Sequence, residues 1–275
     1  MGVTSVREMK MRRATFAVVL TTAVAFAAHA EAPAGGVTQK TDKGEVNWSQ
    51  KTITVTGSGA FSNSASNAAQ ARLMAEKAAK IDAQRNLLET LKGVQVTSGA
   101  PAASVMQMGE VKTKVEGIVK NFEIVEKKYF NDGGVDVIVR MTIDGTLAEL
   151  LIPDAGSKPA KIGPSPDGST AMIIDAKGLG LTPALAPKVF DESGKEIYSA
   201  AIVSKDKLRE HGVCAYARDL DSAKSDKRAG AKPLIVKATK LAQGSKNDLV
   251  IGGKDAAAFA SAGYLGEGKL IIVVD

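Results

Sequence analysis

The chain has 275 residues, 44% of them hydrophobic and 24% charged, which suits a sizeable core in one or two domains. Its formal charge is +6 and its pI about 9.2, yet Arg7, Lys10, Arg12 and Arg13 against Glu8 account for half of that charge. A chain without its first 30 residues carries +3, which excludes the clustered basic signature of a nucleic-acid binder and leaves mild attraction to anionic surfaces.

The N-terminus reads as a secretory signal peptide over residues 1–30. A basic stretch precedes an apolar run from Ala14 to Ala28, and Ala28-His29-Ala30 is a small-x-small cleavage site before Glu31. The apolar run is short of the about 20 residues that a spanning helix needs. A retained N-terminal anchor is the alternative, and Met9 or Met11 would begin a more typical signal. The expected location is the periplasm. Residues 31–47, small and polar, read as a flexible mature N-terminus.

Residues 48–152 are expected to form a first α+β domain. Thr52–Thr56 is rich in β-branched residues and reads as a strand. A long helix follows, with Asn67 as N-cap and Gln70 in the capping-box position. Ala71, Met74, Ala78, Ile81, Leu88 and Leu91 recur at three- and four-residue spacings and predict its buried face, with Glu76 and Lys80 paired on the other side. Its alanines would let it lie close to a sheet. Met108, Val111, Val115 and Ile118 predict a second helix. Asn131-Asp132-Gly133-Gly134, followed by alternating Val135, Val137, Val139, Met141 and Ile143, predicts a β-hairpin buried on one face. Asp144 is read as the cap of a last short helix.

Four prolines and three glycines mark residues 153–168 as a linker. Beyond it, residues 169–275 are expected to form a second α+β domain of short strands with one or two short helices. The strands are predicted at 171–174, 188–190, 196–198, 234–236, 249–251 and 270–274. Leu270 to Val274 has no polar alternate, which suits a strand covered on both faces.

Chemistry is sparse. Gly57-Ser58-Gly59 has the strand-before, helix-after context of a dinucleotide loop, but Ser62 replaces the third glycine and an antiparallel hairpin follows; a flexible turn is the preferred reading. Gly178-Leu179-Gly180 reads as a loop. His211 and Cys214 have ligand-like spacing, yet no further His or Cys completes a zinc site or orients a Cys–His pair. Cys214 is read first as a small buried apolar residue, otherwise as a thiol that pairs with a partner. Asp82 and Arg85 read as an ion pair within the helix, Arg85 laying its methylenes over the core edge, with a recognition role as the alternative. No nucleophile elbow appears. No catalytic, cofactor-binding or metal-ligating residue is assigned, and no cofactor is expected.

The run from Ala71 through Asp82-Ala83-Gln84-Arg85 to Glu89, then Lys92-Gly93-Val94-Gln95-Val96, Val115-Glu116-Gly117-Ile118-Val119, Tyr129, Asp132-Gly133 and Val135-Asp136-Val137, resembles the LPP-type domain of bacterial outer-membrane lipoproteins over residues 50–150. It is also similar to the N-terminal domain of flagellar assembly protein T. The resemblance implies an envelope location and a structural or assembly role near the outer membrane or motility machinery, and no catalytic residue. The lipid-accepting cysteine of such lipoproteins is absent, since Glu31 follows Ala30. The expected function is therefore that of a non-enzymatic, exported envelope protein acting through contacts with an envelope protein or itself, with at most peripheral membrane contact. The alternatives are a periplasmic small-ligand or glycan-binding module, and a hydrolase whose carboxylates converge from separate elements.

Overall fold

The computed structural model describes residues 36–62, 64–143 and 145–275. The expected signal peptide at residues 1–30, residues 31–35 and the expected cap Asp144 lie outside the described residues. The fold is α+β.

The first half builds a five-stranded antiparallel sheet in the order β1-β2-β3-β7-β6. Its strands are β1 (Thr38–Lys40), β2 (Gly44–Asn47), β3 (Thr52–Gly59), β6 (Glu123–Tyr129) and β7 (Val135–Thr142). Between β3 and β6 come α1 (Ala68–Gly93), a small hairpin of β4 (Gln95–Thr97) and β5 (Ala100–Pro101), α2 (Ala102–Val105) and α3 (Gly109–Val119); α4 (Gly145–Leu151) follows β7. The expected hairpin is present, and Val135, Val137, Val139, Met141 and Ile143 are all buried. Residues 38–47, expected to be flexible, instead form β1 and β2. Val37 and Val46 bury there, and Trp48 Nε1 donates to Gln39 Oε1 at 3.1 Å.

Helix α1 starts as its sequence dictates: Asn67 Oδ1 accepts the Gln70 amide at 2.8 Å, and Gln70 Oε1 accepts the Ser66 amide at 2.8 Å. Its buried face differs from the expected one. Ala71, Ala75, Ala79, Ala83, Leu87 and Leu91 are buried, while Met74 and Ile81 are exposed. The cause lies in β3. A Cβ at Gly57 would stand 2.1 Å from the Ala83 nitrogen, and one at Gly59 2.0 Å from the Ala75 carbonyl oxygen. The helix backbone rests on the strand backbone, so only alanine fits between them. Gly57-Ser58-Gly59 is thus strand packed under a helix, not a turn and not a phosphate loop.

In the second half, β8 (Ala171–Asp175), β9 (Val189–Phe190), β10 (Glu196–Tyr198), β11 (Ala215–Ala217), β12 (Pro233–Leu241), β13 (Leu249–Ile251) and β14 (Leu270–Val273) form one sheet in the order β10-β9-β13-β12-β8-β14-β11. β12, β8, β14 and β11 run parallel to one another. Helices α5 (Lys205–His211), α6 (Leu220–Ser225) and α7 (Gly253–Ala260) accompany it. β8 and β14 bury consecutive residues, as strands covered on both faces must. Ile173, Ile271 and Val273 pack with Ala223 of α6, while Met172, Ile174 and Ile272 face a core shared with the first half.

That shared core makes the described residues one compact unit. Residues 153–168 connect the halves without holding them apart. The amides of Gly156, Lys158 and Ala160 donate to the carbonyls of Ala200, Ala201 and Ile202. Leu185 and Ala186 donate to the carbonyls of Gln95 and Val96, which ties the second half to β4. No helix among the described residues is long and apolar enough to cross a membrane.

Candidate functional site

A cavity of about 270 Å³ opens where the halves meet. The turn between β2 and β3 supplies Trp48 and Lys51; the end of β7 and α4 supply Ile143 and Ala148; the end of α5 and the start of β11 supply Leu208, His211, Cys214 and Tyr216. The Trp48 and Tyr216 rings meet edge to face, 5.7 Å between centroids. Tyr216 Oη accepts the Ala184 amide at 2.9 Å and donates to the Ala184 carbonyl at 2.8 Å, so both ends of its wall are pinned. Ser49 Oγ donates to the Tyr216 carbonyl at 2.9 Å.

Lys51 is the unusual member. Its φ of 54° puts a non-glycine residue in the left-handed region, where the Ile143 amide donates to its carbonyl at 2.7 Å. The side chain runs inward, and Nζ donates to the His211 carbonyl at the C-terminal end of α5. Gly212 makes room for it: a Cβ there would stand 2.5 Å from Nζ. Arg228 reaches the same carbonyl through Nη2. Its Nη1 is buried without a hydrogen-bond partner, and its Nε lies 3.9 Å from Asp226 Oδ1. Two cations therefore cap one helix end, a favourable place for positive charge; Arg228 also pairs with Asp226, whereas the neutral carbonyl leaves Lys51 without an ion-pair partner. Burial, and then the neighbouring Arg228, lower the Lys51 pKa to about 8.

Burial raises the Cys214 pKa against a hydrogen bond with Tyr216, and raises those of Tyr216 and Tyr198 further. These groups stay protonated at neutral pH. Tyr198 Oη donates to the Val213 carbonyl at 2.5 Å, just behind the cavity wall. His211 is held below its ordinary pKa by burial, its Nε2 3.3 Å from Glu210.

The structure brings His211 and Cys214, the pair that the spacing singled out, to the same cavity. Among the described residues no three His, Cys, Asp or Glu side chains converge as metal ligands. Asp82 does more than pair with Arg85. Its Oδ2 accepts the Ser58 amide at 3.0 Å, pinning α1 to β3, while Arg85 lies 3.7 Å away and is 70% exposed rather than laid over the core edge. Gly178 and Gly180 sit in a loop with positive φ, and the Gly178 amide donates to the Asp275 carboxylate. Lys51, Arg228, Trp48 and Tyr216 carry no signal of a site in the sequence. They lie far apart in the chain, and no local pattern sets Lys51 off from any other turn lysine.

Residues 171–275, the whole of the seven-stranded sheet, match the family described as Treponema pallidum Tp0624, second domain. The match covers less than half of the chain and leaves out α1 and Lys51. No curated protein matches the chain.

Proposed function

We propose that the protein is a non-enzymatic, exported envelope protein with an assembly role, and that it docks a protein partner on the outer face of α1. The observation that carries this reading is the exposure of that face: Leu73, Met74 and Ile81 are 68%, 41% and 53% exposed on a helix of 26 residues. Because the alanine stripe already anchors the helix, these apolar side chains add little to the fold. Lys77 and Arg85 flank them, which favours a partner segment that is apolar with acidic neighbours. A second copy laid antiparallel about Ile81 would set Lys77 against Arg85, like charge on like. The N-terminal signal sequence and the LPP-type resemblance of residues 50–150 support the same location and role.

The test is chemical cross-linking in the native envelope, followed by recovery of the mature protein with its partner. Met74→Glu with Ile81→Glu should leave the melting temperature within a few degrees of wild type and abolish the cross-linked species. Raising the salt should weaken capture before cross-linking. Recovery of the wild-type protein only as a free monomer would overturn the reading.

A further inference from the structure

The seam cavity holds one cation, Lys51, that its structural role leaves without a counter-charge. Lys51 and Arg228 both donate to one neutral carbonyl, that of His211. Arg228 pairs with Asp226 at 3.9 Å and is not part of the cavity wall, whereas among the described residues no carboxylate stands within ion-pair distance of Lys51. An ammonium group has three donors, and the His211 carbonyl uses one of Lys51's. Glu210 also lines the cavity, but it is engaged by Lys207 at 2.6 Å and by His211 Nε2 at 3.3 Å and makes no ion pair with Lys51.

The remaining wall is mixed. Trp48, Ile143 and Ala148 present carbon, the Tyr216 hydroxyl is occupied by Ala184, and Arg209 is held by Glu149 at 2.8 Å, while Gln50 and Thr142 add neutral polar groups. The volume, about 270 Å³, sits just below the range of about 300 Å³ upward that small-molecule sites occupy. An apolar body with one placed charge is the usual chemistry of such sites.

We propose that this cavity binds a small monocarboxylate with an apolar or aromatic body, its carboxylate on Lys51 Nζ and its body against Trp48 and Ala148. The charge that the ligand answers is present at neutral pH, because the Lys51 pKa falls only to about 8. A neutral ligand of the same shape would leave that cation unpaired and buried, which is costly. A bulky dianion fits less well, since among the described lining residues Lys51 is the ammonium without a carboxylate partner, Arg209 being paired with Glu149. α1 contributes no residue to this wall, so the inference stands apart from the docking proposal.

Trp48 is the only tryptophan in the chain and lines the cavity, so its emission reports occupancy directly. The mature protein would be titrated at pH 7 with acetate, phenylacetate and indole-3-acetate, and in parallel with phenylacetamide and inorganic phosphate. Melting temperature would be followed alongside, and phenylacetate followed at the protein by ligand-observed NMR. Phenylacetate should bind at least tenfold more tightly than its amide and raise the melting temperature, while phosphate does neither. Lys51→Met keeps the stem length and should lose at least tenfold in phenylacetate affinity. Ala148→Phe fills the cavity, keeps Lys51, and should abolish binding, which covers the case in which Lys51→Met fails to fold. Equal binding of the amide, undiminished binding by a folded Lys51→Met or by Ala148→Phe, or no response to any carboxylate would overturn the proposal.

Discussion

Two ionisable side chains sit in opposite circumstances. Lys51 is a buried cation with another cation beside it, so its folded pKa of about 8 lies below the unfolded value near 10.4. Between those two pH values the unfolded chain binds more protons, and stability rises with pH by up to about 1.4 kcal/mol per unit from this residue alone. The cysteine and tyrosines whose pKa values are raised act in the opposite sense, so the contribution is read as a difference. The stability gap between Lys51→Met and wild type should shift in favour of wild type from pH 8 to pH 10, by urea unfolding. Glu76 is the reverse case. Lys80 at 2.9 Å and Lys127 at 2.7 Å hold its carboxyl down to about 2, with the hydrogen bond from Lys127 the larger cause. The folded state gains from this above about pH 4.5 and loses it as the pH falls towards 2. Glu76→Gln should therefore cost about 1 kcal/mol at pH 6, at the upper end for solvent-screened pairs, and only a small fraction of that at pH 2.

At the scale of elements, α1 carries two apolar stripes, and the structure uses the less hydrophobic one. Ala79 is fully buried on β3, so Ala79→Leu should destabilise by about 1–3 kcal/mol through overpacking. Ile81→Ala removes a larger side chain, yet from an exposed position, and should stay within about 0.5 kcal/mol in the same denaturant assay. The reverse ranking would return Ile81 to the core. This helix also shows why legibility was uneven. Its N-terminal end, its Glu76–Lys80 pair and the β6–β7 hairpin follow from local chemistry, namely a capping side chain, an i,i+4 spacing and period-two burial. Its buried face does not, because it depends on two glycines in a strand before it, whose missing side chains admit the alanine stripe. The six strands expected after residue 168 are likewise present, because each is an apolar run bounded by polar residues. β11 and α6 are short, alanine-containing segments whose burial comes from neighbouring β14 and β8, so their own sequence carries little signal. The cavity is the extreme case. His211 and Cys214 are close in sequence, but Lys51 meets His211 from 160 positions away.

At the scale of the molecule, a proline- and glycine-rich connection does not by itself make two independent folding units. What decides the matter is whether each half can bury its own apolar surface. Here Trp48 packs on Tyr216, Arg218 Nε donates to the Gly36 carbonyl at 3.1 Å, and Arg209 pairs with Glu149 between α5 and α4 at 2.8 Å. Backbone hydrogen bonds join β4 to the segment at 185–186 across the same seam. Opening the seam would expose the ring of Trp48 and leave several backbone donors to find new partners, a cost that either half would bear alone. The chain should consequently unfold in a single transition. Trp48 emission reports the seam and far-UV circular dichroism reports both sheets, so the two urea curves should superimpose, with equal midpoints and equal slopes. Tyr216→Phe removes the hydroxyl that holds both polar groups of Ala184 and should move both curves together, by about 1–3 kcal/mol, since it leaves a buried donor and acceptor unsatisfied. Separation of the curves in that variant, with the Trp48 transition moving first, would mean that the halves hold their cores independently and that the seam is an interface between domains rather than part of one core.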